Sequence, residues 1–407
     1  MYLIINRVKN INLYLLPLAA FFILISSAGT NAFILLTVIF SVIHCAKNKN
    51  YQIIFEKKIF TVCFILYIIF LISCFYSIAD SEEIIEVIKK YIKFIYIPFI
   101  FYILKIYKNS ELVIRFFISG STIILILSYL KYFNIFNFDY FYDFLNNINL
   151  ANTKDKIIIN KTSIFQNYII QGIVLSFYSF LCFYLAKRNN NIIYYILSAL
   201  SFINVLFLND SRAAYIIMIV LTLFSFYKII KNNYVRIFFF LLFSLSIFTQ
   251  FSSNLENRIT ALTSDMYYIE NSNYNTSLGY RYIWAKVGLD NIVKRPIFGY
   301  GAGSFERSSI DYYHKNKIPD HKDYITNNPH NEFISISSQL GILGLSFFMA
   351  FIFFLFRDAS NHILPFGIAI TVFISSIFNS AFYDNMLGLF LIIIISLLYQ
   401  NNYTIEK

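Results

Sequence analysis

Charge is what this sequence has least of. Of its 407 residues only 14% are Asp, Glu, Lys or Arg, too few to cover the surface of a water-soluble domain of this size. Cysteines number four, and Cys45, Cys63, Cys74 and Cys182 all fall inside apolar stretches. They have no metal-ligand spacing and no partner in a polar loop, which argues against disulfides and zinc alike. No stretch resembles a cleavable signal peptide, because the first apolar segment continues into a second. No internal repeat is evident, so a transporter built from two related halves finds no support.

What is there is apolar and aromatic: 58% hydrophobic residues and 20% Phe, Tyr and Trp, with a mean hydropathy of +0.62. The bilayer is the natural solvent for such a chain. Apolar runs near spanning length occur at 13–29, 31–46, 59–79, 91–107, 112–133, 163–186, 192–209, 211–230, 235–251, 332–356, 362–382 and 386–400. The expectation is an all-α polytopic membrane protein of about twelve transmembrane helices, forming one integral membrane domain over residues 1–407. Several runs are short for a perpendicular span, so tilt or local thinning is expected.

The formal net charge of +11 suggests nucleic acid at first sight, but its distribution points to the membrane. With the N-terminus inside, Arg7, Lys9, Lys47, Lys49, Lys57, Lys58, Lys105, Lys108, Lys187, Arg188, Lys228, Lys231 and Arg357 all border cytoplasmic connections. Asp80, Glu82, Glu83 and Glu86 fall on the other side, with Lys89 and Lys90 as exceptions. The charge-balanced polar stretch 252–331, between spans nine and ten, falls there too. Basic loops inside and this large loop outside is the arrangement the positive-inside rule dictates, and both termini are then cytoplasmic. No nucleic-acid partner is expected.

A few polar groups stand where a plain membrane helix would not want them. Asp210, Ser211 and Arg212 form a tight outer turn. Ser211 or Asp210 can cap the helix that follows, placing Arg212 in its first turn; a snorkelling arginine is the plain alternative. In the large loop, a helix from about Gly279 to Arg295 carries Arg281 and Trp284, the only tryptophan, for which an interfacial anchor is the plain explanation. Pro296, Gly299, Gly301 and Gly303 then read as a tight turn. They follow no strand, so they make no dinucleotide fingerprint.

Asn328 followed by Pro329 reads as a helix start with proline at the first helical position. That puts His330 in the first turn, where the helix terminus favours a neutral imidazole able to accept a proton. A lone boundary histidine is often structural, but the combination is informative. The topology brings Arg212, Arg281 and His330, remote in sequence, to one membrane face. Two guanidiniums can hold a pyrophosphate through bidentate hydrogen bonds, and a neutral histidine beside them can deprotonate a hydroxyl. That equipment suits displacement of a lipid pyrophosphate from a sugar. No metal or other cofactor is required, since the arginines can stabilise the leaving group. A flippase or transporter would instead need charged or broken helices near the midplane, and a channel a filter-like segment.

At these residues the chain resembles the bacterial O-antigen ligase and polymerase superfamily. The pieces are Ser211-Arg212-Ala213-Ala214, Arg281 with Trp284, Pro296 to Phe305 with its glycines, His330-Asn331, and Leu340-Gly341 to Gly344-Leu345. Gln339 departs from the pattern, which more typically has an acidic residue before the Leu-Gly pair. The resemblance implies a bacterial inner-membrane enzyme with a periplasmic 252–331 loop, taking a glycan from an undecaprenyl-diphosphate donor. Arg212 and Arg281 would bind the diphosphate and His330 would act as base, with Ser211, Asn331 and Trp284 in support. A chain without an appended soluble domain resembles a ligase, whose acceptor is the lipid A–core oligosaccharide. The polymerase, with a second lipid-linked repeat as acceptor, is the alternative.

Overall fold

In a computed structural model, residues 13–136, 138, 162–229, 255–270, 274–318, 321–360 and 362–400 are described; the expected span at 235–251 lies outside them. Regular structure among these residues is entirely helical. The α-helices are Leu13–Phe22 (α1), Ser27–Asn48 (α2), the single turn Tyr51–Ile54 (α3), Lys58–Ser73 (α4), Ser81–Tyr91 (α5), Lys93–Tyr107 (α6), Ser110–Tyr132 (α7) and Tyr168–Asn189 (α8). They continue as Ile192–Ile203 (α9), Arg212–Ile229 (α10), Leu255–Glu270 (α11), Ser277–Lys294 (α12), Phe305–Lys315 (α13), Glu332–Ala359 (α14), Ile363–Phe378 (α15) and Asn385–Leu398 (α16).

Among the described residues five helices are long and apolar enough to cross a membrane: Ser27–Asn48, Lys58–Tyr76 (α4 with a 3-10 turn), Ser110–Tyr132, Tyr168–Asn189 and Glu332–Ala359. Shorter apolar helices, including α1, α15 and α16, pack among them. This is the architecture of a polytopic all-α membrane protein. The sequence ranges shift in places: the run at 91–107 becomes α6, from Lys93, preceded by the amphipathic α5, and α8 starts at Tyr168 instead of 163.

Two helices form the centre. From Gln171 to Ala186 all but one residue of α8 is buried, and from Met386 to Leu398 every residue of α16 is. A helix apolar on all sides belongs in such a place. Small and hydroxylated residues let its neighbours close in. A Cβ on Gly172 would lie 2.7 Å from the Ala214 side chain of α10, and Ser176 Oγ donates to the Ala214 carbonyl at 3.0 Å. Towards α9, Ser179 and Ser198 exchange hydrogen bonds with each other's carbonyl oxygens at 2.9 Å.

The glycine series does more than turn the chain. At Gly341 (φ 65°, ψ −160°) α14 is broken, and the segment from Pro296 to Gly303 fits into the break. Tyr300 and Gly301 donate backbone N–H bonds to the carbonyls of Ser338 (3.1 Å) and Gln339 (2.8 Å), and the N–H of Ile342 donates to Pro296 at 2.7 Å. Backbone groups freed by the break are thus satisfied by a second strand of backbone, which an apolar setting demands. On its other side the segment holds the end of α4: Ser77 Oγ donates to the Ala302 carbonyl at 2.7 Å, and the Ala302 N–H to Ser73 Oγ at 3.1 Å. Gln339, the departure from the family pattern, is used at both ends. Its Oε1 accepts from the Gly303 N–H at 2.8 Å, and its Nε2 donates to Ser335.

The polar stretch is folded. Tyr274, Ile283, Val287, Phe305, Tyr313 and Tyr324 form a separate small core beneath α12 and α13. One reading of the sequence is corrected here. Pro329 is not the first helical residue: α14 begins at Glu332 with Asn331 as its cap, and His330 stands before it with a φ of 52°. Asn328 still organises the entry, since its Oδ1 accepts the His330 N–H at 2.9 Å.

Candidate active site

Five helices that contribute to one end of the molecule begin with a side-chain cap. Asn167 Oδ1 accepts from the Ile169 N–H (α8) and Ser211 Oγ from the Ala214 N–H (α10). Thr276 Oγ1 accepts from Gly279 (α12), Asn331 Oδ1 from Ile334 (α14) and Asp384 Oδ1 from Leu387 (α16). Each helix start carries partial positive charge and N–H groups suited to an anion.

Arg212 sits where the sequence put it, at the first position of α10 behind the Ser211 cap. Arg281 lies in the second turn of α12. The two guanidiniums are close enough that the charge of Arg212, after burial, holds the Arg281 pKa below its usual value, with Tyr168 opposing. Two like charges held together are unfavourable alone and well disposed towards a multiply charged anion.

His330 joins them. Burial pushes its imidazole below the ordinary histidine value, the charge of Arg281 pushes it the same way, and Asp384 pulls it back. The neutral imidazole expected of this residue is therefore favoured, but mainly by desolvation; the helix terminus on which the sequence argument relied is one residue further on. Trp284 holds the ring. The indole lies between Tyr280, stacked at 5.5 Å, and the His330 ring at 5.2 Å, while its Nε1 donates to the Tyr324 carbonyl at 2.8 Å. Tyr280 and Trp284, four residues apart, share one face of α12. Asn331 anchors the same turn, its Nδ2 donating to the Ile377 carbonyl at 2.8 Å.

Arg212, Arg281 and His330 are thus brought together, with Ser211, Trp284 and Asn331 as their supports. Sequence reasoning missed Asn209, Lys93, Glu332 and Asp384. Asn209 is buried; it accepts the Ser211 N–H on Oδ1 and donates to the Tyr168 carbonyl, joining the starts of α8 and α10. Lys93 and Glu332 were open to view as ionisable residues at the starts of apolar segments. Their partners are backbone atoms of residues 382–384, which no charge pattern announces. Among the described residues no group of three or more His, Cys, Asp or Glu side chains is placed to hold a metal ion.

Residues 196–349 match the family model described as O-antigen ligase. This part of the chain is similar to the O-antigen ligase family. The matched O-antigen ligase segment contains all six residues singled out above, while Lys93 and Asp384 lie outside it. No curated protein matches the chain.

Proposed function

We propose that this protein is a glycosyltransferase of the O-antigen ligase type. It transfers a glycan from undecaprenyl diphosphate to the lipid A–core of lipopolysaccharide at the periplasmic face of the bacterial inner membrane. The observation that carries the reading is the grouping of Arg212, Arg281 and a desolvated His330 near the starts of α10, α12 and α14. The arginine pair binds the diphosphate bidentately, and its charges meet the charge that develops as the sugar–phosphate bond breaks. His330 takes the proton from the acceptor hydroxyl while that oxygen attacks the anomeric carbon. The C–O bond to the diphosphate breaks on the opposite face, so the anomeric centre inverts. Confinement of both lipid-linked reactants to one membrane face supplies proximity in place of a soluble nucleotide donor.

The test of the acceptor is genetic and chemical. Deleting the gene should leave lipid A–core without its glycan and should accumulate finished polymer on the lipid carrier. Core bearing a single repeat unit would show a polymerase instead, and unchanged lipopolysaccharide and lipid-linked glycan would remove both activities.

A further inference from the structure

Beside the site, two ionisable residues are buried in a place that binding and proton transfer do not explain. Lys93, at the start of α6, is 3% exposed, and Glu332, at the start of α14, is 0% exposed. Both converge on the short connection between α15 and α16. Lys93 Nζ donates to the carbonyls of Phe382 and Asp384, each at 2.8 Å. Glu332 Oε2 accepts the Phe382 N–H at 2.8 Å. Room for the lysine is made by Gly388 of α16, where a Cβ would stand 2.7 Å from Lys93 Cδ. The Tyr91 hydroxyl, beside the Glu332 carboxylate, lies 3.0 Å from Ser335 Oγ, which in turn accepts from Gln339 Nε2 at 3.1 Å. Through Gln339 the network reaches the Gly303 N–H. Burying two charges in this setting is costly and is kept where something depends on it.

What depends on it is the turn. Asp384 ends the connection, caps α16 through Oδ1 and is near enough for its charge to act on His330. The His330 segment is tied to the same connection twice, by Asn331 to Ile377 and by Glu332 to Phe382. We propose that Lys93 and Glu332 are positioning residues that fix the Phe382–Asp384 turn against the histidine segment, so that Asp384 keeps its place beside His330. This rests on the reading of His330 as the base; the geometry of the clamp itself does not. The charged groups that face His330 are Arg281 from α12 and Asp384 from the start of α16. Loosening the turn withdraws the one that favours the imidazolium.

The test titrates His330 in purified protein whose other four histidines have been replaced, reading its reactivity towards diethylpyrocarbonate against pH, with no substrate present. Lys93→Met should move the midpoint to lower pH by about half a unit or more, and Asp384→Asn should reproduce the shift while keeping the backbone carbonyl to which Lys93 donates. Where Lys93→Met alone fails to insert, the double variant Lys93→Met/Glu332→Gln, which removes both buried charges, should insert and show the same shift. In transfer assays the acid limb should move down in parallel. A midpoint unchanged in the lysine variants, with Asp384→Asn shifted, would overturn the clamp; a midpoint unchanged in all three would remove Asp384 as well. Should His330→Ala prove active, the reading of the base falls while the titration still judges the clamp.

Discussion

At the scale of single residues, the site depends on what type of group stands at each position and not merely on its charge. Lysine in place of Arg212 or Arg281 keeps the charge and loses the planar fork. Either substitution should lower transfer by about tenfold or more at matched expression, the equivalent of one charge-assisted hydrogen bond. Wild-type turnover in both would make these arginines membrane anchors. The histidine carries a pH dependence whose sign follows from its surroundings. Burial and Arg281 lower its pKa, so the neutral, proton-accepting form persists below the ordinary value of about 6.5. Activity should be lost as pH falls through a midpoint below that value, and Arg281→Gln, which removes a like charge, should move the histidine titration upwards; a midpoint above about 6.5 in the unaltered protein would contradict this. Arg212, Arg281 and His330 were legible in the sequence because ionisable residues at span ends stand out against an apolar background. Lys93 was not singled out, since its partners are the carbonyl oxygens of Phe382 and Asp384 and no sequence pattern announces them.

At the scale of elements, the broken helix is the feature on which the rest of this end of the molecule is built. A Cβ at Gly341 would stand 2.3 Å from the Ile297 carbonyl oxygen, and one at Gly299 2.5 Å from the Gln339 backbone, both at positive φ. Backbone cannot move aside as a flexible side chain can. Gly341→Ala and Gly299→Ala should each therefore cost about 2–4 kcal/mol, seen as a lowered thermal unfolding midpoint in detergent; an unchanged midpoint in both would mean that the segment does not dock in the break. The sequence showed the glycines as a tight turn, which they make. It did not show where the turn inserts, because both sides of that contact are main chain and leave no side-chain signature. The entry to α14 shows a similar limit. Asn328 and Pro329 marked a helix start correctly to within a few residues, but Asn331 caps the helix and the chain passes through a left-handed His330 first.

At the scale of the whole molecule, composition alone made the membrane legible, and the placement of lysines and arginines gives an orientation that labelling can test. In a background lacking native cysteines, Lys47→Cys and Asn316→Cys, both at exposed positions, should differ in intact spheroplasts: an impermeant thiol reagent should reach Asn316→Cys and not Lys47→Cys. The reverse pattern would reject the orientation. Several helices beside the site are short. At 15, 16 and 14 residues, α6, α15 and α16 extend about 21–24 Å, less than the roughly 30 Å of a hydrocarbon core.

The measurement closest to the central claim separates binding from transfer in purified His330→Ala protein given lipid-linked glycan and acceptor. General-base assistance is typically worth about a hundred- to ten-thousand-fold. Transfer should therefore fall by about that factor in protein that is still folded and inserted, while donor binding survives on Arg212 and Arg281. Near-normal transfer would remove the histidine from the mechanism, and lost donor binding would make it a ligand of the diphosphate.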